Sequence, residues 1–233
     1  MSFSFKQFHV DDSACAMKVG TDGVLLGAWA DTEGARRVLD AGAGSGLVAL
    51  MTAQRNPDAI IDAVEIDPEA AEACKKNVEA SPWSDRITVH QGSFEDLKGP
   101  YDLIISNPPF YTEDLHSPDK TRARARHAGE LSPMTLVAYA AGHLSETGNL
   151  AMITPTTVQD ELTFECALKG LNVRRLTYVS SKSGRQPHRL LWQISRKSEP
   201  CTQEREAIAD GHDGWTEWYA RLTEDFYLKL PKI

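Results

Sequence analysis

The sequence predicts an α/β fold, a mostly parallel sheet of seven strands with helices on both faces and an antiparallel last strand. Short apolar runs of strand length alternate with stretches of helical periodicity from about Arg36 onward, which is typical of parallel strands joined by right-handed crossovers. The run 101–106 is apolar at nearly every position after Asp102, as expected of a central strand that is covered on both faces. The runs 173–180 and 189–195 look like a final antiparallel pair.

The elements are predicted in order along the chain. Strands are expected at 38–40, 59–66, 87–90, 101–106, 148–154, 173–180 and 189–195. Helices are expected at 47–54, 68–80, 132–145 and 158–169. The second helix has the clearest start, because Asp67 is a good N-cap and Pro68 suits the first helical position. After Glu199 the pattern is weaker, and 215–228 has the apolar spacing of a helix that packs back on the core.

The composition indicates one domain and gives no sign of a membrane span or a metal site. The chain has 233 residues, 41% of them hydrophobic, which is enough to bury one substantial core. No apolar run approaches the roughly 20 residues that cross a bilayer, and 1–10 lacks the pattern of a secretory signal. The four cysteines form no Cys-x-x-Cys pair, so neither a zinc site nor a redox motif is indicated. We expect a cytoplasmic protein with no metal and no obligate protein partner.

A glycine-rich turn, Asp-Ala-Gly-Ala-Gly-Ser-Gly at 40–46, joins the first of these strands to its helix. Glycines in such a turn let the backbone approach a ligand, and N–H groups at the helix start point toward it. Glu65 ends the next strand about 20 residues on, where an acceptor for ribose hydroxyls belongs. The spacing Gly-x-Gly-x-Gly differs from that of dinucleotide binders, and Asp40 suits a cation better than a phosphate. The pattern therefore favours a nucleoside cofactor with a sulfonium and an amino-acid end, the alternative being a turn without a ligand.

The fourth predicted strand runs directly into Asn107-Pro108-Pro109-Phe110. The two prolines end the strand and stiffen the backbone, which puts Asn107 at the edge of the sheet where ligands bind. An exocyclic amine on a purine is a poor nucleophile because its lone pair is delocalised. The Asn107 side-chain oxygen and the Pro108 carbonyl can each accept one of its N–H groups, and Phe110 can stack on the base, worth about 1–3 kcal/mol. The alternative is a rigid loop with Phe110 in the core.

These motifs resemble those of the Rossmann-like class I methyltransferases, and among them the amino-methyltransferases that carry Asn-Pro-Pro-Tyr or Asn-Pro-Pro-Phe. The segments 5–8, 16–23, 25–29, 81–83 and 187–189 are similar to signatures of the bacterial tRNA valine adenine N6-methyltransferase family. The resemblance implies S-adenosylmethionine as cofactor and methylation of N6 of adenine 37, the base that follows the anticodon of a valine tRNA. It also implies that 1–35 covers the cofactor and that 199–233 is an extension of a single domain spanning 1–233.

The resemblance implies roles for individual residues. Catalysis would be carried by Asn107, Pro108, Pro109 and Phe110. The cofactor would be bound by Lys18, Gly20, Thr21, Asp22, Asp40, Gly42, Gly44, Gly46, Glu65, Ile66, Ser93 and Phe94. This chain departs from the family pattern at two positions: Ser93 stands where an acidic residue usually binds the adenine amine of the cofactor, and Phe110 replaces the commoner tyrosine.

Positive charge is concentrated in two segments, although the net charge of −8 taken alone speaks against a nucleic-acid partner. The segments are 120–127 and 169–197, and the second contains no Asp or Glu. A tRNA would contact such basic segments through its phosphates. The residues expected to do so are Lys120, Arg122, Arg124, Arg126, Arg174, Arg175, Lys182, Arg185, His188 and Arg189. The alternative is a solvated loop and a charged strand pair.

Four other functions remain open at this point. A guanine-N2 RNA methyltransferase or a protein glutamine-N5 methyltransferase could use the same Asn-Pro-Pro-aromatic chemistry. An RNA-binding module that had lost catalysis would be a non-enzymatic alternative, disfavoured by the intact motif at 107–110. A nicotinamide-dependent oxidoreductase is disfavoured by the spacing of the glycines at 42–46.

Overall fold

The computed structural model describes residues 2–109, 131–212 and 214–229. Within these ranges the strands are β1 (Ser2–Ser4), β2 (His9–Asp11), β3 (Arg37–Ala41), β4 (Ile60–Glu65), β5 (Ile87–Gln91), β6 (Tyr101–Ser106), β7 (Leu144–Pro155), β8 (Asn172–Lys182), β9 (Arg189–Ser195) and β10 (Thr202–Ala209). The helices are α1 (Thr21–Trp29), α2 (Leu47–Arg55), α3 (Pro68–Glu79), α4 (Pro133–His143), α5 (Gln159–Leu168) and α6 (Glu217–Thr223).

Strands β3 to β10 form one sheet with the order β10-β8-β9-β7-β6-β3-β4-β5. Strand β9 runs antiparallel to both of its neighbours, and the other pairs are parallel. The prediction of a mostly parallel α/β sheet is therefore confirmed. The described sheet has eight strands rather than the predicted seven, because 202–209 adds β10 beside β8. The antiparallel strand β9 lies between β7 and β8, and because β10 follows it, it is not the last strand along the chain.

Two apolar layers cover the two faces of the sheet. Neighbouring residues of one strand belong to opposite layers, since Val38 packs with helices α1 and α2 while Leu39 packs with α4 and α5. The central strands are buried on both sides for this reason. This burial explains why the sequence of β6 is almost continuously apolar.

The start of α3 is formed as the sequence predicts. The Asp67 side chain accepts hydrogen bonds from the N–H groups of Glu69 and Ala70, both at 2.9 Å, and Pro68 is the first helical residue. A proline at this position loses no intrahelical hydrogen bond. The cap fixes α3 directly after Glu65, so the end of β4 is held in place.

The two ends of the described chain lie together. Strands β1 and β2 form a separate two-stranded sheet, and Phe5 bridges to Tyr227 near the other end. The ring of Phe5 stacks on the rings of Phe8 and Tyr227. The predicted helical segment 215–228 contains the shorter helix α6. None of the helices in the ranges described is both long enough and apolar enough to span a membrane.

Candidate functional site

A cavity of about 800 Å³ lies at the carboxyl edge of the central parallel strands. This volume is within the range of about 300–1,000 Å³ that small-molecule sites occupy. Its wall is built by the turn after β3, the ends of β4 and β5, the residues after β6, the N-terminal segment 15–23 and the start of β9. The cavity therefore lies where ligands bind in open α/β sheets.

The glycine turn after β3 has the backbone shape that requires glycine. Gly42, Gly44 and Gly46 have φ of 74°, 54° and 83°, in the left-handed region that side chains disfavour. A Cβ on Gly44 would meet nothing within 4 Å, whereas one on Gly46 would lie 2.8 Å from Sγ of Cys74. Gly44 thus keeps the cavity open, and Gly46 lets α2 approach α3.

Glu65 joins the glycine turn to the start of α3. One carboxylate oxygen accepts from the N–H of Gly44 at 2.8 Å, and the other accepts from the N–H of Asp67 at 3.0 Å. A carboxylate oxygen has two lone pairs, so each oxygen can accept a further hydrogen bond. Glu65 lines the cavity and can receive hydroxyl groups there.

Asp40 places a carboxyl group under the same turn. Its side chain is 1% exposed, and Oδ2 accepts from the N–H of Ala49 in the first turn of α2 at 2.9 Å. Burial, together with the nearby charge of Glu65, raises the pKa of Asp40 to about 7. A cationic group of a ligand in the cavity would oppose both effects and favour the ionised form.

The segment 15–23 forms one wall of the cavity and is held by polar contacts. The N–H of Val19 donates to Oδ2 of Asp12 at 2.8 Å. The Lys18 ammonium donates to the backbone carbonyls of Asp12 and Ser13 at 2.8 and 3.0 Å. Asp22, in the first turn of α1, accepts from Nε of Arg189 at 2.8 Å. These contacts fix the segment beside the glycine turn.

Asn107 lies on the wall of this cavity. Its neighbour Ser106 donates to the carbonyl of Ala41 at 2.6 Å, which ties the end of β6 to the start of the glycine turn. The Asn107 amide nitrogen donates to Sδ of Met17 at 3.5 Å. Its Oδ1 atom is buried and makes no hydrogen bond within the part of the chain that the structure describes. A residue of the cavity wall thus carries a buried hydrogen-bond acceptor without a partner among the described residues.

The other residues predicted to carry catalysis are placed differently. Pro109 lines the cavity, whereas Pro108 is buried and is not among the described residues of the wall. Phe110 lies outside the described residues. The prediction for Phe110 therefore stays a prediction.

The structure brings most of the predicted cofactor residues together. All twelve except Gly46 line the cavity, and Gly46 has the packing role described above. The Ser93 hydroxyl accepts from the N–H of Glu95 at 3.3 Å, so it caps the short 3-10 helix Phe94–Asp96. Sequence reasoning did not single out the contributions of Cys15 and Leu131 to the wall, because neither lies in a recognisable motif.

The basic residues predicted for RNA do not form one surface. Lys120, Arg122, Arg124 and Arg126 lie outside the described residues. Lys182, Arg185, His188 and Arg189 lie at the β8–β9 turn, and the last two line the cavity. Because β8 runs parallel to β3, this turn is at the same edge of the sheet as the glycine turn.

Arg174 and Arg175 lie at the opposite edge, near the start of β8. Arg174 forms an ion pair with Glu199. Arg175 pairs with Glu204 at 3.0 Å and lies over the ring of Trp29, 4.6 Å from its centroid. The prediction grouped these two arginines with the residues beside the cavity, and in this respect it is wrong. They lie at the other end of β8, about 20 Å or more from the β8–β9 turn.

Comparison with known proteins identifies the chain. The model of the methyltransferase small domain family matches residues 15–175. The chain belongs to this methyltransferase family. The methyltransferase is 46% identical to a protein of Shewanella amazonensis, covering 99% of this chain and 100% of that one. It is 44% identical to a protein of Aeromonas hydrophila, with 98% of each chain covered. Both relatives are named tRNA1(Val) (adenine(37)-N6)-methyltransferase.

Solved structures agree with this family in fold. A predicted O-methyltransferase from Agrobacterium tumefaciens aligns with a TM-score of 0.66 at 19% identity, covering 91% of the methyltransferase and 100% of that chain. The ribosomal protein L11 methylase from Lactobacillus delbrueckii subsp. bulgaricus aligns with a TM-score of 0.54 at 19% identity, covering 75% and 77%. At such identities the likeness concerns the fold alone.

The methyltransferase is an enzyme that takes its methyl group from S-adenosylmethionine. The acceptor groups and apolar side chains of the cavity suit this cofactor. Asp40 offers a buried carboxylate for an ammonium, and Glu65 offers lone pairs for ribose hydroxyls. Ile66 and Phe94 are apolar members of the wall, as an adenine ring requires.

Proposed function

We propose that this methyltransferase methylates N6 of adenine 37 in a valine tRNA. The names of relatives 44–46% identical over nearly the whole of both chains support this substrate. The observation that carries the proposal is the buried, unpaired Oδ1 atom of Asn107, a residue that lines the same cavity as Asp40 and Glu65. With tRNA as its substrate, the enzyme would act in the cytoplasm, where tRNA is found.

An unpaired buried acceptor calls for an explanation. Leaving a buried polar atom without a hydrogen bond costs about 1–3 kcal/mol, and native proteins keep few such atoms. An N–H group of the substrate amine would satisfy Oδ1 of Asn107 and recover this energy in the bound complex. The atom is therefore suited to recognising an amine at this position.

The same hydrogen bond assists the chemistry. S-adenosylmethionine supplies an electrophilic methyl group on a sulfonium. Acceptance of one N–H by Asn107 Oδ1 and of the other by the Pro108 carbonyl would draw the adenine nitrogen toward tetrahedral geometry and free its lone pair for attack. The nitrogen can lose its proton after the transfer, so the site needs no strong base.

The geometry of the turn supports the cofactor roles. Asp40 would receive the ammonium of the methionine end, and Glu65 would receive the ribose hydroxyls. Gly44 would let the cofactor approach the backbone, since no atom fills the space where its Cβ would be. Residues 18–22 would cover the methionine end.

We assign the tRNA contacts of the described chain to the β8–β9 turn. Residues 181–186 are exposed without interruption, and Lys182 and Arg185 lie at the edge of the sheet that holds the cavity. The pKa of His188 is lowered by burial and by the charge of Arg189, so His188 is neutral at pH 7 and contributes hydrogen bonds rather than charge. Arg174 and Arg175 are excluded from this surface because their acidic partners occupy them.

A nucleoside assay tests the function. Purified enzyme is incubated with labelled S-adenosylmethionine and total RNA from a strain that lacks the enzyme, and the RNA is digested to nucleosides. We expect labelled N6-methyladenosine, and a valine tRNA transcript with guanine at position 37 should remain unlabelled. Label in N2-methylguanosine or in protein would show that the substrate is guanine or a protein side chain instead. No label at all would indicate an RNA-binding module without catalysis.

A further inference from the structure

Met17 contacts Asn107, the residue whose side-chain oxygen accepts a hydrogen bond from the substrate amine in the proposed reaction. Its Sδ atom lies 3.5 Å from Nδ2 of Asn107, although 90 residues separate the two in sequence. Both residues line the cavity. Met17 is 45% exposed and is one of the few large apolar residues of the described chain that are exposed. Burial in the core does not account for a methionine at this position.

The contact selects one of two orientations of the Asn107 amide. A thioether sulfur accepts hydrogen bonds weakly and donates none. It therefore favours the amide nitrogen on its own side, which leaves Oδ1 on the other. Turning the amide by 180° would set Oδ1 against the sulfur and bury both N–H donors where Oδ1 now finds no partner. The sulfur thus decides which end of the amide meets the substrate.

The backbone that follows Met17 is held by hydrogen bonds, which fixes the point from which its side chain reaches Asn107. Lys18 Nζ donates to the carbonyls of Asp12 and Ser13, and the N–H of Val19 donates to Oδ2 of Asp12. Asp12 itself is 3% exposed. Val19, two residues after Met17, is therefore anchored to a buried side chain.

We propose that Met17 is a positioning residue whose sulfur holds the Asn107 amide with Oδ1 available to the adenine amine. This inference rests on the proposed function, because it matters only if Oδ1 accepts from the substrate. Met17 makes no bond to the reacting atoms in this account and acts through Asn107 alone.

Two substitutions of Met17 test the proposal by single-turnover methylation of a valine tRNA. Met17→Leu keeps the size of the side chain and removes the acceptor. We expect the methyl-transfer rate to fall about three- to tenfold, as loss of one weak hydrogen bond allows, while cofactor affinity stays within about twofold. Met17→Gln offers an amide oxygen to the same N–H and should recover most of the rate.

The decisive comparison repeats Met17→Leu in the Asn107→Ala background. If Met17 acts through Asn107, the second substitution should have no further effect there. An equal fold-loss in both backgrounds, or an unchanged rate in Met17→Leu alone, would overturn the proposal.

A measurement without tRNA separates this inference from the proposed function. In ¹⁵N-labelled enzyme the side-chain NH₂ signals of Asn107 can be assigned by their loss in Asn107→Ala. These signals should move in Met17→Leu and return toward their original positions in Met17→Gln, and signals that stay in place would overturn the contact. Failure of the wild-type enzyme to methylate tRNA would instead refute the proposed function, whatever these signals do.

Discussion

Arg189 donates from Nε to Oδ2 of Asp22 across 2.8 Å, and this contact joins the start of β9 to the first turn of α1 at the cavity. Both side chains are 25% exposed. The pair is therefore partly removed from solvent and is stronger than an ion pair on an open surface. It ties the N-terminal wall of the cavity to the far side of the site.

Breaking this pair should loosen the hold on the cofactor. We expect Asp22→Asn and Arg189→Gln each to speed dissociation of S-adenosylmethionine about fivefold, the equivalent of about 1 kcal/mol, with little change in the melting temperature. The measurement is the cofactor dissociation rate in a stopped-flow chase. Glu217→Gln is the matched control, because it breaks the exposed pair with Arg221 far along the chain. Rates equal to that control would show that the pair does not retain the cofactor.

Two glycines of the same turn should respond to alanine in different ways. Both have positive φ, so each substitution costs about 1–2 kcal/mol in backbone strain. Gly44→Ala should mainly weaken cofactor binding, since its Cβ would project into open space. Gly46→Ala should lose more stability, since its Cβ would lie 2.8 Å from Sγ of Cys74. Denaturant unfolding and cofactor titration of both variants separate these effects, and the reverse order would contradict the assignment.

Asp40 should make stability depend on pH. Its pKa rises to about 7 on folding, mainly because burial disfavours the charge. Between about pH 4 and pH 7 the native state therefore holds a proton that the unfolded chain has lost. The free energy of unfolding should fall as pH rises through this window, by up to about 1.4 kcal/mol per pH unit from this residue. Denaturant unfolding of the cofactor-free enzyme measures it, and Asp40→Asn should lack this slope.

Asp102 offers a control of opposite sign. Burial raises its pKa, but hydrogen bonds from the N–H groups of Arg37 and Arg36 and from Ser145 outweigh burial and lower it overall. Its contribution to stability is present above about pH 4 and is lost as pH falls below that value. If the free energy of unfolding of Asp40→Asn changed with pH as it does in the wild type, Asp40 would not be the group that titrates between about pH 4 and pH 7.

The β8–β9 turn should carry part of the salt dependence of tRNA binding. We expect Lys182→Glu and Arg185→Glu to weaken tRNA binding and to lower the slope of log affinity against log salt by about one each. Lys197→Glu makes the same change of charge at the opposite edge of the sheet and should have little effect. Filter binding at several salt concentrations checks this. Equal losses in all three variants would indicate only a change in net charge.

Much of the fold is predictable from the sequence, and what is missed has physical reasons. The bounds of β6 and β9 are the same in prediction and structure, because turns and prolines delimit apolar runs there. Helix α1 was missed because seven of its nine residues are buried and it shows no polar face. Its Gly27 allows close packing, since a Cβ there would lie 2.7 Å from Sδ of Met51. Strand β10 was missed because it is a charged edge strand.

The candidate site was predictable only where local motifs define it. The glycine turn, Glu65 and Asn107 are recognisable because strand ends of a parallel sheet meet at one edge. The pairing of Asp22 with Arg189 joins residues 167 positions apart and depends on how the N-terminal segment folds over the sheet. The split of the basic residues between two edges likewise depends on the direction of β8, which no local pattern reveals.

The rate of a single methyl transfer by Asn107→Ala tests the central claim most directly. The substrate is an unmodified valine tRNA, and the enzyme is saturated with S-adenosylmethionine. We predict a rate about 100-fold or more below that of the wild type, because an acceptor used at the reacting nitrogen is gone, with cofactor affinity changed by less than about threefold. A rate within about threefold of the wild type at the same cofactor affinity would contradict the account.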